Sequence, residues 1–283
     1  MKKKCAERIG FALLSSAAVL VILFLGIILW DIIGNGLGVI SWPFLTQSPR
    51  EGMTEGGIFP AILGTFLVSL ITVVFAVPLG MGAAIYLNEY ALAGRMTRLT
   101  RLAIRNLSGV PSIVYGLFGV VLFVQMMKFG TSVLSAGLTL ALLTLPLTIT
   151  ASEEALKTVP KSYREGALAL GATQWYAIRT NVLPYAVPGM LTGVILGLAR
   201  AAGETAPILF TGAAFFLPHL PKSLFDQFMA LPYHLYILAT QHHDIAKVRP
   251  IAYGTALVLL GLILLLSTSA IYFRYRYRQR MRS

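Results

Sequence analysis

Residues 152–189 read SEEALKTVPKSYREGALALGATQWYAIRTNVLPYAVPG, a polar stretch set between two long apolar runs. Pro160 lacks the N–H that a helix interior needs, so it ends any helix arriving from the run before it. Ser162 stands three residues ahead of Glu165, the spacing of a capping box, which predicts a short helix through YREGALAL. Gly171 can take the left-handed conformation that stops such a helix. A second helix is predicted from Thr173 to Val182, halted at Leu183–Pro184. Gly166, Ala167, Ala169 and Gly171 leave room for another backbone to come close. The stretch reads as a helix-turn-helix lying at a cytoplasmic membrane surface.

The composition around it fixes the solvent. Of 283 residues, 57% are hydrophobic and 12% charged, with mean hydropathy +0.76, which points to a polytopic helical membrane protein. A span needs roughly 20 apolar residues. Six segments qualify, at about 10–30, 61–87, 107–127, 131–151, 186–213 and 251–272. The first is too long for the apolar core of a signal peptide and reads as a retained anchor. If loops alternate across the membrane, the side holding both termini carries 17 Lys and Arg residues and the other side five. The positive-inside rule then places both termini in the cytoplasm. The formal charge of +12 is thereby explained by orientation, not by nucleic acid, because the basic residues flank apolar runs. The tail YFRYRYRQRMRS at 272–283 reads as a stop-transfer cluster facing anionic lipid.

Several functions are excluded. Cys5 is the single cysteine, so no internal disulfide and no cysteine metal site can form. GxxxxGK[ST], HExxH, CxxC and GxSxG are all missing from the sequence. The longest loops, 31–60, 152–185 and 214–250, are too short for an ATPase domain, so a pump built on this chain must take its energy from a partner. QHHD at 241–244 reads as solvated histidines in an outer loop, with no metal expected. The sequon NLS at 106–108 falls at the cytoplasmic boundary and has no glycosylation role there.

The fifth apolar run contains LARAAGETAPILF at 198–210. Gly189, Gly193, Gly197 and Ala201 recur every fourth residue, a small-residue stripe suited to close helix packing in a membrane. Arg200 and Glu204 are four residues apart and share one helical face beside that stripe. Each charge costs roughly 2.5–3.5 kcal/mol to insert. Two readings stand: a self-compensating ion pair within one helix, or a pair facing a water-filled pathway. In the second, the guanidinium fork of Arg200 suits the oxygens of an anion.

Two sets of residues resemble known families. Glu165–Gly166–Ala167, Gly171 and Leu183–Pro184 stand at the spacing of the loop motif of type I ABC importer permeases. Gly166 replaces the motif's first alanine, and Asn181 stands where an aliphatic residue is usual. RAAGETAP at 200–207 and GVPSIVYGLFG at 109–119 resemble the two signatures of phosphate-specific ABC importer permeases. Leu209–Phe210–Thr211 and LPYHLY at 231–236 resemble the PstA-type subunit more than the PstC-type.

The resemblance implies an all-α polytopic protein of the type I ABC importer permease fold, with six transmembrane helices, in a bacterial inner membrane. It implies inorganic phosphate as substrate. The implied partners are a second permease of PstC type, two ATPase subunits and a periplasmic phosphate-binding protein. ATP and Mg would sit on the ATPase subunits, and this chain would bind no cofactor and have no ATPase site of its own. The implied roles are a substrate pathway at Arg200, Glu204 and Thr205, and ATPase coupling through Glu165, Gly166, Ala167, Gly171, Leu183 and Pro184. The chain then divides into 1–60 (basic tail, first span and outer loop), 61–272 (transmembrane domain with the coupling loop 152–185) and 273–283 (basic tail). Rival readings are a type I permease for another oxyanion or polar solute, and a proton-coupled secondary transporter, which would need no docking loop.

Overall fold

The computed structural model describes residues 2–217 and 219–280; Arg282 of the basic tail lies outside the described residues. Among the described residues, five helices are long and apolar enough to cross a membrane, and a sixth crossing is formed if one sharply bent pair counts as a span.

α1 (Lys2–Gly36) stands at the edge, its apolar side chains from Phe11 to Ile28 exposed as lipid would require. After α2 (Trp42–Thr46) and a two-residue hairpin pairing Pro49–Arg50 with Glu55–Gly56, the second span begins. It is α3 (Phe59–Ile85), prolonged by a π-helical turn at Tyr86–Tyr90. Next comes α4 (Arg95–Leu107), strongly amphipathic, and then α5 (Ser112–Gly119), continued as a π-helix at Val120–Met126. α4 and the segment from Ser112 are bent 102° apart.

The predicted third span, 107–127, is therefore corrected: Leu107 closes α4, and the crossing segment starts only at Ser112. Pro111 causes the break, because it pushes Val110 out of the helical region.

α6 (Val133–Lys157) is the centre of the bundle. On one side it meets α3, where a Cβ at Gly80 would come within 2.7 Å of Thr148. Thr72 Oγ1 also donates to the Gly137 carbonyl at 3.2 Å. On the other side lies the fifth span, which differs from the predicted 186–213 at both ends. α7 (Lys161–Ala169) and α8 (Gln174–Ala177) form the helical pair of the polar loop. α8 runs without interruption through a π-helical turn, Ile178–Val182, into α9 (Leu183–Gly203). The predicted stop at Leu183–Pro184 does not occur. A proline in a helix removes one N–H and crowds the carbonyl of the preceding turn, and the wider π turn just before it accommodates both.

At the far end α9 stops at Gly203, and a separate short helix, α10 (Ala206–Thr211), follows. α11 (Leu231–Thr240) lies in what the sequence presents as an outer loop, yet Leu231, Ile237 and Leu238 are fully buried. His234 on α11 is buried too, and burial pushes its pKa down to about 4, so it sits there neutral. The sixth span is α12 (Ile245–Arg280), helical well into the predicted tail. It holds α1 through the Tyr253 hydroxyl, which donates to Asp31 Oδ2 at 2.9 Å. The expectation of solvated histidines at 242–243 is also corrected. His243 is exposed, but His242 is buried, with Nε2 2.8 Å from the Gly52 carbonyl, and so ties the two outer loops together.

Candidate functional site

The break between α9 and α10 has a local cause. In a continuous helix the ring of Pro207 would press on the carbonyl of Gly203, and its missing N–H would leave that carbonyl without a donor. Glu204 instead adopts an extended conformation (φ −74°, ψ 134°) and its N–H returns to the Ala201 carbonyl at 3.2 Å. The expectation that Arg200 and Glu204 share one unbroken helix is corrected to this extent: Arg200 is in the last turn, and Glu204 is the first residue outside it. The two still meet, with Arg200 Nε 3.2 Å from Glu204 Oε1. That single bond uses one of the five guanidinium donors. The Arg200 side chain is 48% exposed and that of Glu204 17%, and the guanidinium makes no other hydrogen bond among the described residues. Thr205, at the break itself, is half-buried, and its carbonyl accepts from the Leu209 N–H.

The helix break also brings together the two sequence signatures. A Cβ at Gly116 of α5 would sit 3.0 Å from Pro207 Cα and 3.2 Å from the Ala206 carbonyl oxygen, so glycine there lets α5 lie directly on α10. The Tyr115 hydroxyl, next to Gly116, donates to the Leu107 carbonyl at 3.0 Å. Glu204 also lines a small cavity with Thr65, Ser69 and Pro232, in which the buried Ser69 hydroxyl has no protein partner. The small-residue stripe of α9 faces α6: Gly189 lies against Ala155, Gly193 against Ala151, and Gly197 against Thr148 and Thr144.

The helical pair of the polar loop is built differently from its prediction. α7 is preceded by Pro160 with no side-chain cap, and Ser162 is already inside the helix, so there is no capping box. Pro160 is itself the N-cap residue, with an extended ψ of 141°, and its carbonyl accepts from the Tyr163 N–H at 3.2 Å. Gly171 does terminate α7, at φ +82°. The Gly171 N–H bonds to the Leu168 carbonyl at 3.0 Å and the Ala172 N–H to the Ala167 carbonyl at 3.1 Å, the two bonds of a Schellman motif. Thr173 caps α8 through a 3.3 Å bond from the Tyr176 N–H. Ala167, Val182 and Leu183 face inward, whereas Glu165, Gly166, Gly171, Trp175 and Tyr176 are exposed. Leu170 is 91% exposed, and a Cβ at Gly166 or Gly171 would meet nothing within 4 Å. The pair presents an uncovered surface with an apolar tip.

One part of the site was not found from the sequence. Arg164 of α7 reaches Glu89, in the π turn that ends α3, by two parallel bonds of 2.9 Å to Oε2 and 2.7 Å to Oε1. It also donates to the carbonyls of Val159 and Leu156, at 2.9 and 3.1 Å. Asn88 donates to the same carboxylate at 2.7 Å, and Gln174 of α8 donates to the Glu89 carbonyl at 2.7 Å. Both helices of the pair are thus fastened to the end of α3. The only sequence signal was Glu89 itself, an acid in the aromatic-flanked YLNEY at the end of an apolar span.

Comparison with known proteins gives the frame for this geometry. The family described as binding-protein-dependent transport system inner membrane component matches residues 76–283. A probable ABC transporter permease protein, YqgI of Bacillus subtilis (strain 168), is 31% identical over 95% of each chain. The phosphate transport system permease protein PstA 1 of Mycobacterium tuberculosis (strain ATCC 25618 / H37Rv) is 35% identical, over 90% of this chain and 83% of that one. Among solved structures, the bacterial alginate ABC transporter in complex with its pentasaccharide-bound periplasmic protein aligns with a TM-score of 0.69 at 15% identity, over 94% of this chain and 93% of that one. The MetNI methionine ABC transporter in an inward-facing form aligns with a TM-score of 0.59 at 16% identity, over 78% of this chain and 94% of that one. At these identities the two structures establish a shared fold.

Proposed function

This chain belongs to the binding-protein-dependent transport system inner membrane components, and from that premise we propose that it forms half of the translocation pathway of an ATP-driven phosphate importer. The relatives named as phosphate permeases support the substrate. The two stretches that resemble phosphate-permease signatures, 109–119 and 200–207, meet at the break between α9 and α10. The carrying observation is Arg200, a guanidinium inside a membrane span with most of its donors unpaired by Glu204. A planar fork of donors matches two oxygens of one tetrahedral anion.

Glu204 gives the arrangement its selectivity. Phosphate keeps at least one proton at neutral pH and sulfate keeps none. A carboxylate beside the anion accepts a hydrogen bond from a P–OH and repels an oxyanion that has no hydrogen to give. In this reading Arg200 supplies attraction, Glu204 reads the proton, and Thr205 contributes a hydroxyl at the break.

Family membership supports the remaining assignments. Both termini and the α7–α8 pair face the cytoplasm of a bacterium, where the exposed tip at Gly166, Leu170 and Gly171 docks in a groove of an ATPase subunit. This chain has no ATPase site of its own; the ATP and Mg are held by two such subunits. A second permease of PstC type completes the pathway, and a periplasmic phosphate-binding protein delivers the anion to the outer loops. A permease for another oxyanion would share all of this except the substrate. The test is reconstitution of the complex in vesicles with ATP. Uptake of labelled phosphate that excess sulfate does not inhibit is expected, and equal competition by sulfate would overturn the phosphate assignment.

A further inference from the structure

α4 is a thirteen-residue helix lying across the bundle. Arg95, Arg98, Arg101 and Arg105 fall on one side of it, spaced three or four residues apart. Met96 and Leu107 fall on the other, Leu99 lies at the border beside Arg95 and Leu102 among the arginines, and all four are exposed. The helix is fixed along its inner edge: Ile104 packs in the cluster around Leu156 and Val159, and Arg101 Nε lies 2.8 Å from the buried Glu153 carboxylate. A second bond, of 2.8 Å, joins Arg101 to the Leu87 carbonyl.

Arg101 is thereby committed to the fold. Arg95, Arg98 and Arg105 are not: they are exposed and have no acidic partner among the described residues. With Arg101 they line a surface groove whose floor includes Gly94 and Thr97. Three unneutralised guanidinium groups converging on one groove repel one another unless an anion joins them. The opposite apolar edge, bare in this chain, belongs at the depth of acyl chains. This division of one helix into an apolar edge and an arginine edge is that of a helix lying in a membrane interface.

We propose that this groove is a binding site for the headgroup of an anionic phospholipid, with Arg95, Arg98 and Arg105 on its phosphate and the acyl chains along Met96, Leu99 and Leu107. The positive-inside reading of the basic flanks predicts only diffuse attraction. The groove adds a place where one headgroup meets three forks of donors. It would also hold α4, and through Arg101 the ends of α3 and α6, at a set depth beside the coupling pair. The proposal is independent of which solute the permease carries.

The test is a lipid titration of the full-length chain in neutral detergent micelles doped with phosphatidylglycerol or phosphatidylcholine, read by thermal unfolding. Phosphatidylglycerol is expected to raise the unfolding temperature saturably and phosphatidylcholine to leave it unchanged. Arg95→Gln/Arg98→Gln/Arg105→Gln should move the half-saturating phosphatidylglycerol concentration up about a hundredfold, since each arginine near an anionic surface contributes roughly fivefold. If the triple variant is not recovered, Arg98→Gln alone should shift it by about fivefold. An unshifted titration in the variants would overturn the proposal. So would inorganic phosphate alone producing the same stabilisation in the wild type and losing it in the triple arginine variant, which would make the groove a site for free anion. A photo-crosslinker at Leu99 should label lipid in the assembled complex; labelling of a neighbouring protein subunit would overturn the acyl-chain placement.

Discussion

Of the three arginine–glutamate pairs among the described residues, Arg164–Glu89 and Arg200–Glu204 have opposite constructions. Arg164 and Glu89 are joined by two parallel hydrogen bonds, with the carboxylate 5% exposed and two further guanidinium donors spent on backbone carbonyls. Arg200 and Glu204 touch through one 3.2 Å bond, and the arginine is 48% exposed. The first pair joins elements 75 residues apart; the second spans one helix break. A sealed pair of charges has nothing left for a ligand and serves to hold a geometry. A pair with spare donors is poor structure, and its cost in a membrane makes sense only if something else completes it.

This contrast can be broken from either side. The largest effect is expected for Glu89→Ala, which leaves Arg164 partly buried and uncompensated. Loss of about 3–5 kcal/mol should appear as a collapse in the yield and thermal stability of the full-length protein, and restoration by the exchange Glu89→Arg/Arg164→Glu would show that the pairing is what matters. Arg200→Ala should leave stability near wild type and reduce phosphate uptake by about a hundredfold or more, the scale of losing a charge-assisted, two-pronged contact worth about 3 kcal/mol. Glu204→Gln should retain uptake but let sulfate compete about tenfold better, measured as the ratio of half-inhibitory concentrations, consistent with one charge-assisted hydrogen bond. The smallest effect is expected at Gly171→Ala, where φ of +82° makes a side chain cost about 1 kcal/mol. That change should lower phosphate-stimulated ATP hydrolysis more than basal hydrolysis.

What could be read from the sequence follows a physical divide. The spans were legible because lipid demands length and apolarity, and Gly171 because only a left-handed turn explains a glycine at that position. The arginine and glutamate of the motif were legible because charge in a span is conspicuous. Ends and breaks were harder. The run 186–213 is apolar throughout, so hydropathy could not see that α9 ends at Gly203, although Pro207 four residues on carried the signal. At Leu183–Pro184 the same proline rule misled, since a π turn absorbs what a regular helix cannot. Ser162 and Glu165 had capping-box spacing, but Pro160 had already set the helix start. The Arg164–Glu89 pair was beyond reach, because no periodicity links residues that far apart; counting Arg164 as one more charge on the positive side hid its role.

The contrast between the pairs is tested most directly by measuring, in the same vesicles, the amount of assembled complex and the ATP-driven uptake of labelled phosphate for Arg200→Ala and Arg164→Ala. The structure predicts wild-type assembly without uptake for Arg200→Ala, and loss of assembly for Arg164→Ala. Uptake retained in Arg200→Ala, or assembly lost with it, would contradict the assignment of Arg200 to the anion pathway.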